Sequence, residues 1–170
     1  LIDYSAYNTA ACVNLSANDL TVGSVTCLRN STTAVNGGLA DSISNFENIT
    51  GSALNDVLIG SDGDNVITGL AGDDELIGLA GNDRYVFTQN WGSDTVTESA
   101  GTDSFDFTGN TSGVNFVVTD TALSANDGGS NVVSNTPNQI EVLMGGSGDD
   151  TLDYSSVSSS RVVDLSNVGL

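Results

Sequence analysis

Residues Gly60 to Val86, GSDGDNVITGLAGDDELIGLAGNDRYV, set a glycine every nine residues and an acidic or amide side chain five residues after each. In that register the pattern begins one unit earlier and reads Gly51-Ser-Ala-Leu-Asn-Asp-Val-Leu-Ile, Gly60-Ser-Asp-Gly-Asp-Asn-Val-Ile-Thr, Gly69-Leu-Ala-Gly-Asp-Asp-Glu-Leu-Ile and Gly78-Leu-Ala-Gly-Asn-Asp-Arg-Tyr-Val. A fifth copy, Gly145-Gly-Ser-Gly-Asp-Asp-Thr-Leu-Asp, stands apart. Position 1 is always glycine, and position 4 is glycine at Gly63, Gly72, Gly81 and Gly148. Position 6 carries Asp56, Asn65, Asp74, Asp83 and Asp150, and position 8 carries Leu58, Ile67, Leu76, Tyr85 and Leu152. Such a unit is a turn followed by a very short strand.

Each position has a physical reason. Glycine reaches the positive φ angles of a tight turn and leaves its carbonyl uncovered, so a six-residue turn can wrap backbone oxygens around an ion. Carboxylate and carbonyl oxygens at that density suit a hard cation such as calcium. The apolar residue at position 8 points inward from its strand while positions 7 and 9 point outward. One nonapeptide is too small to bury that side chain alone, so stacking must make the core continuous. Two nonapeptides complete a coil, which predicts Asp56 over Asp74 and Asn65 over Asp83. Carboxylates about 4 Å apart repel by about 1 kcal/mol in water and about 4 kcal/mol at an effective dielectric near 20. Such a stack needs a cation to close, and ion binding then becomes folding energy.

The composition agrees. The 170 residues include 22 Asp plus Glu against three arginines (Arg29, Arg84 and Arg161), with no lysine or histidine, for a formal net charge of -19. A phosphate-binding surface needs Lys and Arg, so nucleic acid is excluded as a partner. Yet 38% of the residues are apolar, and Trp91, four tyrosines and five phenylalanines are among them. That is too rich for a disordered acidic chain and enough for a core once the charge is offset. No apolar run approaches the roughly 20 residues that span a bilayer, so no transmembrane segment is expected. Cys12 and Cys27 close a local loop if an oxidising compartment joins them, the expected state; the other reading is two separate buried thiols.

The stretch resembles the RTX family of secreted calcium-binding nonapeptide repeats, G-G-x-G-x-D-x-U-x. The resemblance implies a right-handed parallel β-roll, an all-β solenoid with several calcium ions held at its turns. The implied metal positions are Asp56, Asn65, Asp74, Asp83 and Asp150, with turn glycines Gly51, Gly60, Gly63, Gly69, Gly72, Gly78, Gly81, Gly145 and Gly148. Leu54 replaces the second turn glycine and Asn65 replaces an aspartate, so sites at those positions are expected to be weak or absent. Position 2 is glycine only at Gly146.

Beyond Val86 the run decays. Gly92-Ser-Asp94-Thr-Val96 and Gly101-Thr-Asp103-Ser-Phe105 each match positions 4 to 8, which adds Asp94 and Asp103 to the metal positions. Asp83 and Asp94 are eleven apart, so a two-residue bulge is expected there, with Trp91 beside it covering the widened core in preference to stacking on a ligand. A longer repeat is superimposed. Asp3-Tyr-Ser with Val13-Asn-Leu-Ser returns as Asp153-Tyr-Ser with Val163-Asp-Leu-Ser, a weaker copy lies at Asp106 to Phe116, and Asn45 to Leu58 matches Asn138 to Leu152. The chain therefore divides into a β-rich spacer with the cysteine loop (1–50), the calcium roll (51–107, regular to about 86), a second β-rich spacer (108–144) and the start of a further module (145–170). The first residues align with segments that follow a turn, so a longer tandem array, or completion by neighbouring subunits, is expected.

Catalytic signals are thin. Asp41, Glu47, Glu98, Asp120, Asp127 and Glu141 fall outside the repeat positions, and their spacing specifies no reaction; they read as solvated or structural. Position 3 lacks the regular threonine row that ice binding would want, and the N-x-S/T sequons at Asn14, Asn30, Asn48 and Asn110 are common by chance in such a composition. The expectation is a non-catalytic calcium-binding structural region, extracellular or at the cell surface, that folds on calcium into a rod stacking end to end, in an adhesin, surface matrix or filament. The alternative is the calcium-dependent accessory region of a secreted protease, lipase or polysaccharide-modifying enzyme whose active site lies elsewhere.

Overall fold

A computed structural model describes residues 1–6, 8–16, 46–137 and 139–158, together with the backbone of 20–22, 25–27, 31–34 and 41–42. Within these residues the protein is all-β, with no helix, and therefore none long and apolar enough to cross a membrane. The first spacer carries β1 (Ile2–Asp3), β2 (Ala11–Asn14), β3 (Leu20–Val22), β4 (Val25–Cys27), β5 (Ser31–Ala34) and β6 (Asp41–Ser42). The repeat region carries β7 (Asn48–Thr50), β8 (Val57–Ile59), β9 (Val66–Thr68), β10 (Glu75–Ala80), β11 (Arg84–Val86), β12 (Ser93–Ala100) and β13 (Ser104–Asp106). Then follow β14 (Asn115–Thr119), β15 (Leu123–Asn126), β16 (Val132–Asn135), β17 (Val142–Met144) and β18 (Thr151–Ser156).

From β7 to β13 successive strands alternate between two sheets, because each nonapeptide turn reverses the chain and delivers the next strand to the opposite face. One sheet has the order β1-β7-β9-β11-β13-β17, with every neighbouring pair parallel. The other has the order β18-β14-β15-β16-β12-β10-β8-β2-β5-β6. Register is set by the inward residue of each strand. Ile49, Ile67, Tyr85, Phe105 and Leu143 align across the first sheet, and Val13, Leu58, Leu76 and Val96 across the second. Except for half-buried Leu143, these are fully buried, and all belong to one hydrophobic cluster. Each such side chain contributes about 2 kcal/mol by leaving water, which a lone nonapeptide has no means to capture.

The coil is 18 residues long where it is regular, and 20 between β10 and β12 and between β11 and β13. The two extra residues raise Phe87 and Trp91 into a nest with Phe105 and Phe107, where Trp91 lies 5.1 Å from Phe107 edge to face. At 1% exposure Trp91 is core, and no ligand-stacking face is left.

Two features depart from a uniform parallel roll. The spacers pair antiparallel, β2 with β5 and β5 with β6, β3 with β4, β14 with β15 and β15 with β16. The two main sheets also remain open at their edges rather than joining. The antiparallel excursions widen the second sheet beyond what the short repeats would build, and β16 returns parallel onto β12.

Candidate metal centre

Every turn lies between two strands of fixed register, so position 6 of one coil is held over position 6 of the next. The Asp74 carboxylate accepts from the Asp56 amide through Oδ1 (2.8 Å), and Asp94 accepts from the Asp74 amide (3.0 Å). In the opposite row Asp83 accepts from Asn65 (2.7 Å), Asp103 from Asp83 (2.8 Å), and Glu141 closes the ladder by accepting from Asp103 (2.9 Å). A turn has no strand partner for these amides, and an acid from the following coil supplies the acceptor. Position 5 runs the other way: Asn55, Asp64, Asp73 and Asn82 accept from the amides of Asp73, Asn82, Ser93 and Thr102 one coil later.

The second carboxylate oxygens separate the turns into two kinds. In the first coil Asp56 Oδ2 accepts the Ser52 amide (2.6 Å) and Asn65 Oδ1 accepts the Ser61 amide (2.7 Å), while each serine hydroxyl also caps its turn. In the second coil position 2 is Leu70 or Leu79, each at φ 81, and neither amide turns to the acid. Oδ2 of Asp74 and Asp83 is consequently buried with no hydrogen-bond partner, and Oδ2 of Asp94 and Asp103, whose units carry Asn90 and Ser99 at position 2, is left in the same state. These four side chains are only 1% to 3% exposed. A buried unpaired carboxylate oxygen is costly, and two in register in each of the opposite rows make a two-railed, oxygen-lined track without a basic residue in it. The one ion pair among the described residues is spent outside it, where the Arg84 guanidinium meets Asp106 (Nε to Oδ2 2.7 Å). Burial alone would raise Asp106, but the Thr108 hydroxyl and amide and Arg84 hold it below the usual carboxylate range.

Burial pushes the track the opposite way. It raises Asp74 to about 7, Asp83 to about 6 and Asp94 to about 8, with the neighbouring Asp56, Asp73, Asp103 and Asp74 charges adding to the effect. Asp103 and Asp56 are also raised, again chiefly by burial. Glu98 is raised to about 8 by burial and by Asp103 and Asp83, against the hydrogen bond it accepts from the Tyr85 hydroxyl.

The glycines are fitted to the acids. A Cβ at Gly51, Gly60, Gly69, Gly78 or Gly145 would collide with the position 6 side chain of the same unit. Gly72 and Gly81, at φ 123 and 112, pack so closely that a Cβ would lie 2.6 Å from the carbonyl carbons of Leu54 and Gly63 one coil back. Gly63 itself is open, with only the Ser61 hydroxyl at 3.8 Å. The outlying Asp150 is exposed and receives the Val114 amide (2.8 Å), while the Gly148 side of its turn packs against Gly113; it is not brought to the main track. Cys12 is buried and disulfide-bonded, and the side chain of Cys27 lies outside the described residues.

A family model described as the RTX calcium-binding nonapeptide repeat, in four copies, matches residues 50–85 and 138–153. These segments are RTX calcium-binding repeats. No curated protein matches the chain significantly. The oxygen track fits the ion that RTX repeats bind: its donors are hard, anionic and unpartnered. The family match leaves residues 86–137 uncovered, whereas the RTX-like ladder continues in space through Asp94 and Asp103, in that gap, to Glu141 in the second matched segment. Glu98 and Glu141, read from the sequence as solvated or structural carboxylates, both belong to the site. Glu98 stands where a unit ending at Asp106 would begin, five residues before Asp103, and that spacing is the signal that could have found it.

Proposed function

We propose that this chain is a non-catalytic calcium-binding structural segment of an extracellular protein, folding on calcium into a right-handed parallel β-roll that acts as a stiff rod and stacks end to end. The observation that carries the reading is the set of four buried, unpartnered Oδ2 atoms on Asp74, Asp83, Asp94 and Asp103. Calcium would be held between the second and third coils, by Asp74 with Asp94 and by Asp83 with Asp103. Asp56 and Asn65 hold theirs weakly or not at all, since Ser52 and Ser61 already occupy the oxygens. Parallel pairing at 18 and 20 residues across two alternating sheets supports the roll. Calcium is plentiful outside cells and scarce within, so a segment with net charge -19 stays open until export and rigidifies afterwards.

Stacking is supported by the internal repeat. β13, the counterpart of β1, has strands on both sides, β11 and β17, while among the described residues β1 is paired on one side only, with β7. A strand edge of this kind suits another coil, whether from further repeats of the same chain or from a neighbouring copy. The test is far-UV circular dichroism on metal-stripped protein as calcium is added, with electron microscopy of the loaded sample. A cooperative gain of β signal at sub-millimolar to millimolar calcium, and rods in the micrographs, are expected. A stripped protein already folded and indifferent to calcium would sink the reading.

A further inference from the structure

The unit Glu98-Ser-Ala-Gly101-Thr-Asp103-Ser-Phe105-Asp106 keeps the glycine, acid and apolar residue at positions 4, 6 and 8 but begins with glutamate where every regular unit begins with glycine. In the regular units the absent side chain makes room for the acid five residues on. Here the glutamate side chain fills space inside the stack. Glu98 is 6% exposed, and its Oε1 accepts from the Tyr85 hydroxyl. A Cβ on Gly78, the position 1 glycine one coil earlier, would meet Glu98 Oε1, Asp83 Oδ2 and the Tyr85 hydroxyl together, so these three oxygens converge on one small volume. Carboxylate oxygens of Asp83, Glu98 and Asp103 lie within 4.8 Å of one another, the one such group of three among the described residues. Independently of that clustering, Oδ2 of Asp83 and of Asp103 is buried with no hydrogen-bond partner, on side chains 1% exposed.

We infer that Glu98 is a calcium ligand that turns the ordinary repeat position between Asp83 and Asp103 into a three-carboxylate site, filled before the Asp74 and Asp94 position of the facing row. The inference rests on the calcium reading above and adds an order of filling to it. In the facing row the equivalent residue is Gln89, exposed and hydrogen-bonded outward to Thr111. Affinity of oxygen sites rises with the number of charged ligands and with their rigidity. Here Tyr85 holds one Glu98 oxygen in place, while the Ser99 amide donates to the other at 3.2 Å. Tyr85 thus acts as a positioning residue at the inner wall.

The test is isothermal calcium titration of the metal-stripped wild type, Glu98→Gln and Glu98→Gly, paired with terbium luminescence excited through tyrosine. The glycine variant restores the residue that the regular units carry, so it keeps the fold accessible if glutamine does not. The wild type is expected to show one class of calcium site tighter than the rest. Both variants should weaken that class by at least about ten-fold while the remaining ions still bind, and Tyr85→Phe should dim the terbium signal that appears first. Wild-type affinity and stoichiometry in Glu98→Gly would overturn the role of Glu98 and leave the calcium roll standing. Absence of calcium binding by the wild type would instead remove the reading beneath it.

Discussion

Glycine serves three different ends in these turns, although at the level of sequence the copies look equivalent. At Gly69 it leaves room for the Asp74 carboxylate, at Gly72 it permits a positive φ against the Leu54 carbonyl, and at Gly63 it meets almost nothing. Gly69→Ala and Gly72→Ala should therefore each cost about 1–3 kcal/mol, whereas Gly63→Ala should stay within about 0.5 kcal/mol; thermal melts in saturating calcium check the contrast. Equal losses at all three would mean the turns are not packed as described. Leu70 holds φ 81 without being glycine, a conformation that costs a branched side chain about 1–2 kcal/mol. Leu70→Gly should raise the melting temperature, and a fall would show that the leucine side chain contributes more than its backbone costs. The acids were legible because Asp74 and Asp83 recur at nine residues in a recognisable frame. Glu98 and Glu141 were not, since each enters the ladder from a position where the frame holds another residue type or has been stretched by an excursion.

At the scale of the strand, the inward rungs and their order followed directly from position 8: Leu58, Leu76 and Val96 stack in one sheet, Ile67, Tyr85 and Phe105 in the other. Truncating a central rung, Leu76→Ala, should cost about 2–5 kcal/mol. Because ion binding and folding are coupled, the cost should appear as a higher calcium midpoint in a dichroism titration, with an unchanged end point. A midpoint equal to wild type would argue that the rung is not part of the cooperative unit. The longer internal repeat was also readable and has a spatial counterpart: Ile2 pairs Ile49 as Phe105 pairs Leu143, and Val13 pairs Leu58 as Phe116 pairs Leu152. What sequence left open was strand direction in the spacers. Alternation in β14, β15 and β16 marks which side is buried but is identical for parallel and antiparallel partners. Direction is settled by the short loops, such as the Thr119 to Ala122 reversal, and by the space beside β12 that β16 fills.

For the molecule as a whole the track of acids makes stability depend on pH in a definite sense. Burial raises Asp74, Asp94 and Glu98 to about 7 to 8 without metal, while the unfolded chain keeps ordinary carboxylates near 4. The folded, metal-free form then binds more protons than the unfolded form between those limits. Stability present at pH 4 is lost as pH rises through about 8. The metal-free chain, open near neutral pH, should gain β signal as the pH is lowered from 8 to 5.5, and calcium should abolish that difference; a metal-free dichroism signal that falls on acidification over this range would contradict the burial of these acids. The 20-residue coil has a separate consequence. Identical coils can slide past one another by whole repeats and meet nearly the same contacts, so a uniform array has several competing alignments of similar energy. Phe87 and Thr88, the two residues added after the last regular unit, together with the indole of Trp91 that they bring inward, occur once. Any slipped alignment would set that wide aromatic storey against a narrow one, so the irregular coil works as a keyway that gives a repetitive chain a single zero point.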